Sequence, residues 1–349
     1  MTLRWNSFST LLSTTLLVAL NWGCTPQTPQ DSSVAPATET MPFVAVTQIV
    51  EHPALDATRD GIQDELKAAG YTAGETLTWK WESAQGSPAT AAQIASAFVA
   101  EKPDVIVAIA TPSAQAAVSA SSDIPVIFSA VTDPVGAKLV EKLDQPGGLV
   151  TGVSDLSPIE NHVSLMQEIN PNLKTIGVIY NAGEVNAVSL VNLLKEQAQA
   201  KGLSVVEATV ANSSGVATAA QSLVGKADVI YVPTDNTVVS ALESVLQVGI
   251  DNKIGVYSGD TDSVERGAIA SLGFDYYDVG RQTGKQVVRV LQGESPGNLS
   301  VESVDTLNLY VNPKAAEAMG VTLPQSVIDR ADTVVKSEEE STDSATESE

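Results

Sequence analysis

The stretch "ADVIYVPTDN" (residues 227–236) repeats the outline of "PDVIVAIATP" (103–112). Both contain Asp-Val-Ile, continue as an apolar run and break at a Pro/Thr turn before a helical pattern. Asp104 and Asp228 set the offset at 124 residues, the size of a domain and far too long for a solenoid repeat. Two more pairs keep the same order. "IPVIFSAVTDPV" (124–135) matches "KIGVYSGDTDSV" (253–264), which aligns Thr132-Asp133 with Thr261-Asp262. "FVAVTQIVEHPALDATRDGIQDELKAAGY" (43–71) parallels "TIGVIYNAGEVNAVSLVNLLKEQAQAKGL" (175–203). Each of these is an apolar strand, a polar loop, a helix with apolar residues at helical spacing, and a closing glycine, Gly70 or Gly202. The chain therefore reads as two similar halves.

Short Val- and Ile-rich runs at 43–49, 104–110, 125–131, 175–181, 228–233 and 254–259 read as strands. Helical patterns fill the gaps at 55–69, 89–101, 113–121, 186–201 and 238–249. Strands of this kind alternating with helices imply βαβ units and parallel sheets buried on both faces. The fold class expected is α/β: two doubly wound parallel-sheet lobes joined by a three-strand hinge, with crossings near 152–154, 274–277 and 301–306. The first lobe is expected to comprise 42–152 plus 276–301, and the second 153–275 plus 302–330. The segment "DYYDVGRQTGKQVVRVLQG" (275–293) reads as a helix outside the order of the second repeat, and 304–312 as a final strand.

Charge and cysteine content remove several functions. The 349 residues carry a formal net charge of −23. Part of it sits in "SEEESTDSATESE" (337–349), and the whole of 331–349 is expected to be an acidic disordered tail. The rest is still strongly acidic and has no basic stripe, so no nucleic-acid partner is expected. Cys24 is the only cysteine, and the two histidines, His52 and His162, lie in no metal motif. Neither a disulfide nor a zinc centre is expected, and no cofactor. There is no Gly-x-Ser-x-Gly elbow, Walker loop or Gly-x-Gly-x-x-Gly after a strand, and no pair of thiols for a two-lobed racemase, so no enzyme and no catalytic residue are expected.

Residues 1–24 read as an export signal, with an apolar stretch from about Phe8 to Leu20 that is short for a membrane span. Gly23-Cys24 resembles a bacterial lipoprotein cleavage site, with acylation at Cys24, although Asn21 stands where such sites usually carry Leu. Ordinary secretion or an uncleaved anchor are the alternatives. Residues 25–41 read as a flexible linker.

Six motifs in order, "VEHPALDATRDG" (50–61), "IATPSAQAA" (109–117), "AVTDPVGA" (130–137), "PGGLVTGVSD" (146–155), "VPTDNTVVSA" (232–241) and "GFDYYDVGRQTG" (273–284), resemble the tryptophan/tyrosine-type substrate-binding proteins of bacterial ABC transporters. That family consists of extracytoplasmic lipoproteins of the type I periplasmic-binding fold. The resemblance implies a small-molecule ligand, an aromatic or other apolar L-amino acid, held between the lobes, and an ABC permease as membrane partner. A monomer is expected. A sensor role at a membrane receptor, or a sugar or nucleoside ligand, are the alternatives.

In open parallel sheets ligands bind beyond the C-terminal strand ends, where helix N-termini supply free N–H groups. The hydroxyls of Thr111 and Ser113 are candidates for a carboxylate, or else cap the following helix. Thr132 and Asp133 are candidates at the next strand end, where Asp133-Pro134 also suits a plain turn. Asp235, Asp260, Asp262 and, at the hinge, Asp275 are candidates for an ammonium, with Asp260 or Asp235 favoured. Glu51, His52, Gln85, Asn181, Thr234 and Asn236 complete the polar set. Ser154-Asp155 reads as hinge hydrogen bonding or ligand contact. Tyr276 and Tyr277 are the aromatic candidates, whereas Trp79 and Trp81, on one strand face, read as core.

Overall fold

The computed structural model describes residues 41–336. The chain begins in the first lobe with β1 (Phe43–Gln48), α1 (Pro53–Ala68), β2 (Thr78–Ser83), α2 (Pro88–Glu101), β3 (Val105–Ile109), α3 (Thr111–Ala120), β4 (Val126–Ser129) and β5 (Val150–Ser154). It crosses to the second lobe for α4 (Ile159–Ile169), β6 (Thr175–Asn181), α5 (Val185–Ala200), β7 (Ser204–Val210), α6 (Val216–Leu223), β8 (Val229–Val232), α7 (Asn236–Val239), α8 (Leu242–Asn252), β9 (Gly255–Ser258), α9 (Asp262–Glu265) and β10 (Ala270–Gly273). It returns for α10 (Tyr276–Leu291) and β11 (Glu302–Ser303), then crosses a third time to β12 (Asn308–Val311), α11 (Pro313–Ala318), α12 (Gln325–Asp329) and β13 (Thr333–Val334).

The first sheet runs β11-β5-β4-β3-β1-β2, all parallel, and the second runs β7-β6-β8-β9, also parallel. A mixed sheet, β10-β12-β13, continues the second lobe, tied to β9 by the Ile269 N–H donating to the Val256 carbonyl at 2.8 Å. The order β2-β1-β3-β4 is reproduced as β7-β6-β8-β9, which is the duplication in three dimensions. Each lobe has its own core. β1 and β3 are buried almost throughout because helices cover both faces of the sheet, and this is why their sequences are apolar without alternation.

The repeated Asp-Val-Ile has one structural job in both lobes. The Phe43 N–H donates to Asp104 Oδ2 at 2.8 Å, while the Asp104 N–H donates to the Phe43 carbonyl at 2.9 Å. Asp228 holds Thr175 by the same reciprocal pair, at 2.8 and 2.9 Å. The carboxylate fixes the register of the lobe's first strand against its third.

Three segments differ from the expected boundaries. Val153 and Ser154 end β5 in the first sheet, and Glu302 and Ser303 pair with them as β11, so the first and third crossings fall a few residues later. Phe274 packs into the first core rather than the second. Residues 331–336 do not belong with an acidic tail: β13 pairs with β12, Asp332 Oδ2 accepts from the Leu309 N–H, and the Val335 N–H donates to the Val311 carbonyl. Unpaired donors and acceptors on the edge of β12 give this short stretch an ordered place. The signal and linker segments, with Cys24, and residues 337–349 lie outside the described residues.

α10 lies against α1 in the first lobe. A Cβ on Gly61 would run into the Tyr277 carbonyl oxygen, and one on Gly280 into that of Thr58, so the two backbones approach closely. Ser129 donates to Thr283 Oγ1 at 2.6 Å, since the Thr283 hydroxyl is itself committed to the Val279 carbonyl. These contacts fix the position of Tyr276 at the start of α10.

Candidate functional site

The loops after β1, β4, β5, β8 and β9 converge between the lobes on a closed chamber. It is lined by His52, Ala54, Leu55, Ala130, Thr132 and Asp155 from the first lobe and its crossing. Asn186, Thr234, Asp235, Asn236, Val239 and Asp260 come from the second lobe, with Tyr276 from the second crossing. Water centres have only about 20 Å³ there, room for one or two molecules. An amino acid needs more, so entry requires the lobes to part. A larger groove of about 970 Å³ runs alongside between α2 and α3 and the loops after β6 and β7. Its one buried carboxylate, Glu184, is already saturated by Asn236 and Thr237, which donate four hydrogen bonds at 2.6–3.2 Å. The inner chamber is therefore the chemically competent one.

Its electrostatics are dominated by buried acids. Asp155 accepts from Thr132 Oγ1 at 3.0 Å and from the Tyr276 hydroxyl at 2.8 Å. Burial pushes its pKa up, those two hydrogen bonds pull it back, and the Asp260 charge raises it further. Asp260 accepts from the Ser263 N–H and hydroxyl, both at 2.8 Å, and burial likewise raises its pKa. Asp235 caps α7 through the Val238 N–H at 2.8 Å and accepts the Asn181 N–H at 2.6 Å. Burial, then the nearby charge of Glu184, holds it well above the usual carboxylate range. Just behind, Asp262 is pushed up to about 7 by burial and by Asp260. The Arg266 guanidinium, whose field reaches Asp260, is engaged with Glu243 and the Val239 carbonyl. The chamber thus gathers buried carboxyl groups whose ionised forms lack a counter-charge, the setting in which a bound cation is favoured.

Several polar atoms around the chamber have no partner: His52 Nδ1, Asn186 Oδ1 and Thr234 Oγ1 are all buried and unbonded. His52 keeps some residue exposure, but its Nδ1 is sealed from solvent. Its pKa is lowered to about 3, first by that enclosure and then by Arg266, so the ring is neutral. Ala54 and Leu55 open the first turn of α1, where N–H groups have no partner within the helix. Leu55, Val239 and the Tyr276 ring supply apolar wall.

Of the residues singled out from sequence, His52, Thr132, Thr234, Asp235, Asn236, Asp260 and Tyr276 meet at this chamber. Asp155, read from sequence as hinge hydrogen bonding or ligand contact, lines it too; the other candidates do not. Thr111 and Ser113 stand at the start of α3, buried with unpartnered hydroxyls; neither caps the helix. Asp133 holds its own turn through the Gly136 N–H at 2.8 Å and accepts from Ser189 of the opposite lobe at 3.0 Å. Asn181 spends its side chain on Thr237 and Gly183. Asp275 is exposed and caps α10 through the Tyr277 N–H. Glu51 and Gln85 are exposed and bonded to each other at 2.7 Å. Tyr277 turns outward to Asp64, and Trp79 and Trp81 pack at the edge of the first core. Asn186 is the polar lining residue that the sequence reading did not reach. "SD" at a crossing was a visible signal for Asp155. Asn186, in the first turn of α5, carried none.

A chamber between the strand ends of two duplicated lobes, sealed by their approach, defines a clamp that encloses a small solute: the type I periplasmic-binding architecture. The chain belongs to the ABC transporter substrate-binding protein family, whose description matches residues 43–335. A tyrosine-binding protein of Clostridioides difficile is 42% identical over 276 residues, 79% of this chain and 80% of the relative. An ABC domain from Streptococcus pneumonia in complex with L-Trp has a TM-score of 0.82 at 38% identity, covering 85% of this chain and all of that one. A ligand-free, open structure of a substrate-binding protein with adhesive properties from Clostridium difficile scores 0.65 at 41% identity, again covering 85% of this chain and all of that one. The first of these was solved with its ligand bound and the second without ligand. The protein is the substrate-binding component of an ABC transporter and works outside the cytoplasm. Among the described residues no helix is long and apolar enough to cross a membrane.

Proposed function

We propose that this protein captures an aromatic L-amino acid by clamp closure and delivers it to an ABC permease, tethered as a lipid-anchored monomer through Cys24. The observation that carries the ligand reading is the chamber's pairing of buried, cation-seeking carboxylates with unpartnered polar atoms at its wall. The ammonium sits between Asp155 and Asp260, one from each side of the cleft, so that binding and closure are a single event. The carboxylate meets the free N–H groups at the start of α1. The side chain lies against Leu55, Val239 and Tyr276. His52, Thr132, Thr234, Asp235 and Asn236 complete the polar lining. The name of the Clostridioides relative, a tyrosine-binding protein, and the L-Trp in the Streptococcus complex support the aromatic class.

The test is calorimetric titration of protein unfolded and refolded to strip carried-over ligand, against the common L-amino acids with sugars and nucleosides as controls. One-to-one binding confined to aromatic amino acids is expected. A sugar or nucleoside hit with no amino-acid binding overturns the ligand assignment.

A further inference from the structure

Asn186 is 3% exposed and lines the chamber from the first turn of α5. Its Nδ2 donates to the Thr234 carbonyl at 2.9 Å and to Glu184 Oε2 at 3.4 Å. Both partners are acceptors only, so the amide cannot be turned over without setting oxygen against oxygen. Its orientation is therefore fixed by chemistry: Oδ1 is the free atom, and it is buried with no partner. Glu184 holds the arrangement from behind and is itself tied down by Asn236 and Thr237. A buried carbonyl oxygen without a donor is costly to keep, and a ligand N–H or O–H removes that cost. The ammonium already has the two carboxylates Asp155 and Asp260.

Resting on the reading of the site as an aromatic amino-acid clamp, we propose that Asn186 Oδ1 accepts a hydrogen bond from the ligand's side chain, making Asn186 the residue that selects indole and phenol over phenyl. A ligand without the donor leaves the oxygen stranded in the closed chamber, so discrimination comes from an unpaired acceptor and needs no steric clash.

The test compares L-tryptophan with its sulfur isostere 3-benzothienyl-L-alanine, which keeps the ring and lacks the N–H, and L-tyrosine with L-phenylalanine. Affinities are measured on wild type and on Asn186→Ala and Asn186→Ser, with thermal melting to confirm folding. Wild type is expected to bind each donor-bearing ligand roughly ten- to a hundredfold more tightly than its partner. In Asn186→Ala that ratio falls towards one. Equal wild-type affinities within each pair overturn the inference while leaving the aromatic reading intact, as does an unchanged ratio in both variants. Were both variants unfolded, the wild-type pairs alone would decide. Silence to all four ligands overturns the reading of the site itself, and this inference with it.

Discussion

Asp155 and Asp260 face opposing demands. Each is desolvated, and Asp155 also feels the charge of Asp260, which disfavours ionising both, yet an ammonium needs them ionised. Binding must then expel protons and strengthen as pH rises. Asp262, at about 7, adds to this from just behind. Titration in two buffers of different ionisation enthalpy is expected to show proton release on binding, with affinity declining on acidification. Asp155→Asn or Asp260→Asn should cost at least tenfold in affinity, the scale of truncating one side of a buried charge pair. Retention of full affinity in both variants would remove the ammonium from this place. His162 makes stability, too, fall on acidification. Its Nδ1 meets the Tyr231 hydroxyl at 2.8 Å and its Nε2 the Leu272 carbonyl at 2.6 Å, and burial lowers its pKa to about 4. The neutral ring is the folded form. Its contribution is complete above the ordinary value of 6.5 and is lost as pH falls from there to about 4, at up to about 1.4 kcal/mol per unit. His52 adds a loss of the same sign. Asp262 has the reverse sign, since its raised pKa favours the folded state at low pH and that advantage fades between 3.8 and about 7. His162→Gln keeps a donor for Leu272 and cannot titrate, so its melting temperature should fall less than wild type's between pH 6.5 and 4.

α10 is the element whose placement the site depends on, because its first residue carries the Tyr276 hydroxyl to Asp155. It approaches α1 through Gly61 and Gly280, where any Cβ meets backbone, which cannot rotate away. Gly280→Ala is expected to destabilise by about 3 kcal/mol, the upper part of the range for overpacking, while Lys285→Ala on the same helix stays within about 0.5 kcal/mol. Denaturant unfolding measures both; equal, small effects would mean the helices can part at little cost. This helix was legible in sequence, since its apolar period and the capping Asp275 are local signals. So were the strands around Asp104 and Asp228, buried on both faces and apolar without a break. β7 carries no unbroken apolar run, since only Ala208 and Val210 are buried and the rest are half-buried or exposed, and β13 is two residues long beside an acidic run. The site was legible where strand-end loops carry it, as at His52, Thr132, Asp235 and Asp260. It failed where a loop residue of the expected type was consumed by its own turn, as at Asn181 and Asp275. It also failed where the lining residue sits inside a helix, as Asn186 does.

At the scale of the whole molecule, affinity includes the energy of bringing the lobes together, and the closed form is held by groups that need not touch the ligand. Asp133 is the clearest of them. Its turn is pinned by the Gly136 N–H, and its Oδ2 accepts from Ser189 on α5, across the cleft. A plain turn carboxylate would have no reason to reach the other lobe. Neither Asp133 nor Ser189 lines the chamber, so losing this bond changes the closure equilibrium and leaves the ligand's contacts alone. Ser189→Ala should therefore weaken every ligand by the same factor, roughly three- to tenfold for one partly exposed hydrogen bond to a charged acceptor, without altering preference among them. Small-angle scattering should find the unliganded variant more expanded than wild type and the saturated variant equally compact. A change in ligand preference would instead mean that α5 repositions Asn186 three residues earlier on the same helix. Unchanged affinity with unchanged scattering would mean that closure is carried by the chamber's own contacts, through the Asp155–Tyr276 link between two crossings.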